Sequence, residues 1–161
     1  MDFASAHSRK GIEEEIERLC RERFISAREA SLVDTAAIEK LFASPLGARM
    51  RKAQKLRREF KFSVLLDGGE FFPGAEGEKL LLQGVVDCCL EEDGKLVIID
   101  YKTDNVRSKE QIAQRTALYA GQLRIYALAL SRIFGMEVSE CLLYFISAGK
   151  MINLTEKDLQ S

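Results

Sequence analysis

Asp87, Asp100 and Lys102 are the residues of this sequence best suited to chemistry. Asp87 interrupts the run VVDCC and Asp100 interrupts VIIDYK, and an ionised carboxylate in such a setting is costly unless it is paired, hydrogen-bonded or bound to a cation. Side chains alternate along a strand, so Asp100 and Lys102 project to one face while Ile99 and Tyr101 project to the other. If the two runs are hairpin neighbours, Asp87 lies beside Asp100 on that face, and two acids and an ammonium group converge. Hard divalent cations such as Mg2+ or Mn2+ take oxygen ligands and are commonly held by one or two carboxylates with water and substrate phosphate. A centre of this kind acidifies a bound water and stabilises charge at phosphorus, with Lys102 orienting the water or sharing the charge. The reaction class is phosphodiester hydrolysis. A buried Asp–Lys ion pair, with Asp87 satisfied by backbone N–H groups, accounts for the same spacing without any catalysis.

The positioning elements are legible around these residues. Residues 80–90 and 95–102 are short, apolar and partly β-branched, and EEDG between them is a hairpin signal, so they are expected to pair antiparallel. Phe60, Phe62, Val64 and Leu66 alternate with Lys61, Ser63 and Leu65 in a preceding strand, followed by an exposed turn-rich loop at 67–79. Ile112, Thr116, Tyr119, Leu123, Tyr126, Leu130 and Ile133 recur at spacings of four and three, which predicts a long helix ended by Gly135. A buried strand over 141–146 and a short edge strand over 151–154 complete the core. The first third reads as helices. Ile12, Ile16, Leu19, Cys20 and Phe24 form one amphipathic stripe, Ser26 and Glu29 form a capping box, and Asp34 caps a helix through Phe42. Ser44-Pro45 stops that helix and opens a short turn.

Composition narrows the class. The 161 residues are 47% hydrophobic and 30% charged, with only two prolines, which excludes a disordered or collagen-like chain and fits one domain with a real core. No apolar run approaches the roughly 18 to 20 residues of a membrane span, and the opening lacks the apolar stretch of a signal peptide, so a soluble, cytoplasmic chain is expected. The four cysteines, at 20, 88, 89 and 141, match no metal framework, since Cys88 and Cys89 point to opposite faces of one strand; they read as buried free thiols. Net charge is −1, but residues 45–62 hold Arg49, Arg51, Lys52, Lys55, Arg57, Arg58 and Lys61 against the single acid Glu59. Such a stretch is either a solvated face or a track that neutralises the phosphates of a single nucleic-acid strand in a salt-dependent, sequence-independent way.

GVVD at 84–87, IDYKTD at 99–104 and YAGQLRIYALAL at 119–130 together resemble the RecB-type nuclease motifs of the PD-(D/E)xK superfamily, most closely the nuclease domains of AddA-type helicase-nuclease subunits. FASPLG at 42–47, REFKFS at 58–63 and LLYF at 142–145 extend the resemblance through most of the chain. It implies a restriction-endonuclease-like α/β fold, a central mixed sheet flanked by helices, with a helical lead-in over 1–55 and a catalytic core over 56–154. It implies Asp87, Asp100 and the Tyr101 carbonyl as ligands of Mg2+ or Mn2+, Lys102 as the catalytic lysine, and Gln122 and Tyr126 as the family's Gln-x-x-x-Tyr pair. Residues four apart share a helix face, so that pair can approach the site together. The implied activity is DNA cleavage, an exonuclease digestion of single strands fed by an attached helicase in double-strand-break repair and recombination, with an AddB-type partner subunit. Thr103, Asp104 and Tyr119 fall in the resembling segments with supporting or packing roles.

The family's metal-binding histidine has no good counterpart. His7 is the only histidine, and ASAHSRKG carries no apolar helix. The opening DF resembles the stretch just after that motif, which implies a chain beginning downstream of it, as a fragment of a longer polypeptide with weak or no activity in isolation. No Gly-x-x-x-x-Gly-Lys-Ser/Thr loop is present, so ATP-driven work is expected to reside elsewhere. The competing reading is a catalytically inactive nuclease-like module for DNA binding or subunit docking.

Overall fold

The computed structural model describes residues 8–155. Ser8 caps α1 (Arg9–Arg21) by accepting from the Gly11 N–H. Fully buried Ile12 packs on Phe42, with Ile16 and Ile38 against them. The apolar stripe stops short of the expected Phe24. Arg23 takes a left-handed φ of 62°, the chain leaves the helix, and Phe24 is 70% exposed. The capping box of Ser26 and Glu29 starts the short α2 (Ala27–Ser31), and Asp34 caps α3 (Thr35–Ala43) through the Ala37 N–H. Ser44 then ends α3 and caps the next helix, accepting from the Gly47 N–H with Pro45 in the first turn. The expected turn is therefore a two-turn helix, α4 (Pro45–Lys52), whose Leu46 and Met50 are buried.

Five strands follow: β1 (Lys55–Asp67), β2 (Lys79–Glu92), β3 (Lys95–Lys102), β4 (Val138–Phe145) and β5 (Lys150–Leu154), ordered β1-β2-β3-β4-β5 in one sheet. All neighbours are antiparallel except β3 and β4, which run parallel because α5 (Lys109–Phe134) carries the chain back between them. Ser108 and Gln111 form a capping box at the start of α5, and Gly135 ends it at φ 63°, a conformation that glycine adopts without a Cβ penalty. Asp67 anchors the loop between β1 and β2, its Oδ1 accepting from the N–H groups of Gly69 and Gly77.

The sheet has two covered faces, and each residue's parity decides which it meets. Phe62, Val86, Cys89, Leu96, Ile98 and Leu143 pack under Leu123 and Leu130 of α5. Cys88, Leu90, Val97, Ile99 and Leu142 pack under Leu41 of α3 and Leu46 and Met50 of α4. Each fully buried side chain such as Leu90 or Ile98 contributes about 1.5–3 kcal/mol over leaving it in water.

Cys88 and Cys89 thus face opposite sides, as expected. Burial pushes the thiols of Cys88, Cys89 and Cys141 up to about 12, 11 and 12. A buried protonated thiol is a poor nucleophile. In the native protein only half-buried Cys20 is expected to react quickly with an aromatic disulfide reagent, the other thiols reacting only in denaturant. Two or more fast thiols would contradict this packing.

Candidate active site

The hairpin of β2 and β3 opens at the two acids. Its ladder runs from Glu92 opposite Lys95 to Cys88 opposite Ile99 and stops there, while β2 stays paired to β1 as far as Lys79. The alternation of β2 also changes phase at this point. Leu90 and Cys88 pack on the α3–α4 side, whereas Val86, of the opposite expected facing, packs on the α5 side. The same change occurs on β1 between Leu56 and Phe60, around Glu59, whose φ of 47° is uncommon for a residue with a Cβ. Freed from the regular ladder, Asp87 accepts the Tyr101 N–H through Oδ2 at 2.9 Å, taking the place of a strand carbonyl.

Asp100 and Lys102 project from β3 towards α5, and Tyr101 projects the other way, its hydroxyl 3.7 Å from the Met50 sulfur. Asp100 is buried, and its Oδ2 lies 2.6 Å from Lys102 Nζ. Burial pushes the Asp100 carboxyl above the ordinary carboxylate range; the Lys102 ammonium opposes the rise, and the nearby negative charge of Asp87 adds to it. Two carboxylates close enough to repel, one of them buried, suit a hard cation. Among the described residues no three His, Cys, Asp or Glu side chains gather into a fuller ligand set.

Helix α5 lays one face over this pair. Lys102 Nζ donates to Gln122 Oε1 at 3.3 Å, and Gln122 Nε2 donates to the Tyr126 hydroxyl at 2.8 Å. Tyr126 stands edge-on to Phe62, ring centroids 5.5 Å apart. Gly84 makes room for both rings, since a Cβ there would sit 2.7 Å from Phe62 Cζ and 3.0 Å from Tyr126 Cε1. The ring of Tyr119, one turn before Gln122, carries the Lys102 ammonium 3.8 Å from its centroid, and its hydroxyl donates to Asp104 Oδ2 at 2.9 Å. Sequence reasoning gives Tyr119 and Asp104 no contact with the lysine, although the 119, 122, 126 spacing holds the signal.

The basic stretch is dispersed. Arg49 binds Glu92 at 2.8 Å and Glu140 at 2.6 Å, joining α4 to the sheet, and both carboxylates hold its guanidinium firmly protonated. Arg51 donates to the Phe42 carbonyl at 2.8 Å, and Lys52 is exposed. Lys55 and Arg57 meet Glu91 at 3.3 and 3.6 Å, and Arg57 also lies over the Phe134 ring of α5. Arg58, opposite Cys88, is exposed, and its charge reaches Cys88 and Tyr101, which pack on the α3–α4 side. His7 lies outside the described residues.

A model of the PD-(D/E)XK nuclease superfamily matches residues 4–160. The chain belongs to this superfamily. As a PD-(D/E)XK domain it is similar to the AddA-type subunit of the ATP-dependent helicase/nuclease of Alkaliphilus oremlandii, at 39% identity over 157 residues, covering 96% of this chain and 13% of that protein. The corresponding protein from Carboxydothermus hydrogenoformans is 38% identical over 157 residues, with the same coverage. The one from Geobacillus thermodenitrificans is 38% identical over 154 residues, covering 89% of this chain and 12% of that protein. The chain therefore spans only 12–13% of the length of these relatives. Nucleases of this superfamily generally use divalent metal ions, in keeping with the paired carboxylates. Among the described residues no helix is long and apolar enough to cross a membrane.

Proposed function

We propose that this chain is the nuclease domain, residues 1–161, of a longer cytoplasmic helicase-nuclease, and that it hydrolyses phosphodiester bonds of single-stranded DNA fed to it by the attached motor. The observation that carries this reading is the meeting of Asp87, Asp100 and Lys102 where β2 leaves β3, in a chain of nuclease ancestry. The Asp87 and Asp100 carboxylates and the Tyr101 carbonyl would hold Mg2+ or Mn2+, which when bound supplies an acidified water and a Lewis acid for the phosphoryl oxygen. Lys102, steadied by Asp100 and Gln122, offers N–H donors to the attacked phosphate or the entering water. Tyr126 fixes Gln122 so that its amide oxygen faces the ammonium rather than solvent. The exposed Lys52, Lys55 and Arg58, at the end of α4 and on β1, would contact the DNA backbone. A surface pair such as that of Lys55 is weak enough to yield to a phosphate. Digestion of a fed strand, an AddB-type partner and a place in double-strand-break repair belong to the same reading.

The test is cleavage of an end-labelled single-stranded oligonucleotide by the full polypeptide that carries this chain. Cutting is expected with Mg2+ or Mn2+ and none after chelation. A second reading, an inactive module that binds DNA or docks another protein, is favoured by the limited set of ligating side chains assembled among the described residues. Salt-sensitive DNA binding without cutting under either cation would establish it over the nuclease reading.

A further inference from the structure

We infer that Tyr119 is a positioning residue for Lys102, its ring face holding the ammonium between Asp100 and Gln122 while Asp104 fixes the ring. The inference rests on the proposed nuclease reading and deepens it. Lysine has a flexible four-carbon stem and three rotatable donors, so its ammonium must be held from several sides to act at one atom. Asp100 holds it from the strand at 2.6 Å and Gln122 from the helix at 3.3 Å. The Tyr119 ring, 3.8 Å from Nζ at its centroid, is the third support. An aromatic face attracts a cation through its quadrupole, more strongly when the pair is partly withdrawn from water, as Lys102 is here. It occupies no N–H in a directed hydrogen bond, so Nζ keeps its third donor for a phosphate oxygen or a water.

The ring is itself tied down. Its hydroxyl donates to Asp104 Oδ2 at 2.9 Å, and Arg115, one turn earlier on α5, meets Asp104 Oδ1 at 3.2 Å. The main chain of Asp104 is held in turn, its carbonyl accepting from the Ser147 hydroxyl at 2.5 Å. The Asp104 carboxylate also raises the Tyr119 phenol above its usual value, which keeps the hydroxyl a donor. The segment leaving β3, helix α5 and the turn after β4 thus all converge on the orientation of one ring beneath one lysine. A leucine would fill similar space with none of this.

The experiment compares Tyr119→Phe and Tyr119→Leu in the full polypeptide, with Lys102→Ala as reference, measuring kcat and KM for single-stranded DNA. Tyr119→Phe keeps the ring face and is expected to lose no more than about threefold in kcat, whereas Tyr119→Leu is expected to lose about tenfold with KM little changed. A second, metal-free readout is the NMR shift of the Lys102 ε-methylene protons, displaced upfield by the ring current in the parent and in Tyr119→Phe but not in Tyr119→Leu. If Leu and Phe variants lose kcat equally, or the Leu variant keeps the parent's rate, the inference falls while the nuclease reading stands. If Lys102→Ala cuts as fast as the parent, the nuclease reading itself falls. Should Tyr119→Leu fail to fold, the NMR comparison of parent and Tyr119→Phe decides: no upfield displacement in either overturns the placement of Lys102 on the ring, and its presence in both upholds it.

Discussion

Asp100→Asn is expected to slow DNA cleavage by a factor on the order of a thousand while costing the metal-free fold less stability than removal of Lys102 does. The two effects have one origin. Asp100 is buried beside the negative Asp87, so its charge is costly to the fold, and an amide of the same shape removes that cost together with the ligand. Lys102→Ala is expected to be as inactive and to lose more stability. It strands the Asp100 carboxylate without its ammonium, and breaking a buried pair from one side costs about 3 kcal/mol or more. Single-turnover cleavage with Mg2+ and urea unfolding without metal separate the two variants. Equal stability of both would mean that the Asp100–Lys102 pair is not the strained, buried arrangement described here.

Gly47→Ala is expected to be the most damaging small substitution in the lead-in helices, lowering stability by about 3 kcal/mol in urea unfolding. A Cβ at Gly47 would run into the Phe42 carbonyl oxygen and lie 2.6 Å from both the Leu41 carbonyl oxygen and Phe42 Cα. All three are backbone atoms, so α4 must move away from α3 to admit one methyl group. The movement reaches the site from behind, because Leu46 and Met50 of α4 pack against Ile99 and the Tyr101 side. Gly121→Ala is the control. It lies within α5 with nothing close to its new Cβ and should stabilise by about 0.5–1 kcal/mol. A Gly47→Ala protein as stable as the parent would contradict the close joint between α3 and α4.

Much of the site is legible in the sequence because it follows from local periodicity. The parity of Asp100 and Lys102 on β3 fixes their common face, and Gln122 and Tyr126 share a face of α5; both rules act over a few residues. Asp87 is where the rule fails. Alternation holds only while the ladder is regular, and β2 changes phase at that residue, so its carboxylate binds a backbone N–H of the next strand instead of lying in the pleat. The basic stretch is legible as composition but not as placement. Arg49 finds Glu92 and Glu140 at separations of 43 and 91 residues, contacts set by sheet order rather than by anything near it in sequence. Phe24 fits the periodic stripe yet is exposed, because periodicity does not show where a helix ends and the left-handed turn at Arg23 ends it first. Residues 45–52 suggest only a turn because Ser44-Pro45 stops the helix before it, and the short helix they form draws its stability from the buried Leu46 and Met50 rather than from its own pattern.

Whether Asp87 and Asp100 serve one ion can be read from anomalous scattering by crystals of the full polypeptide grown with saturating Mn2+. One manganese peak ligated by carboxylate oxygens from both aspartates, with Lys102 Nζ beside it, is predicted. Manganese bound elsewhere, with the two carboxylates still engaged only by Tyr101 N–H and Lys102, would contradict it.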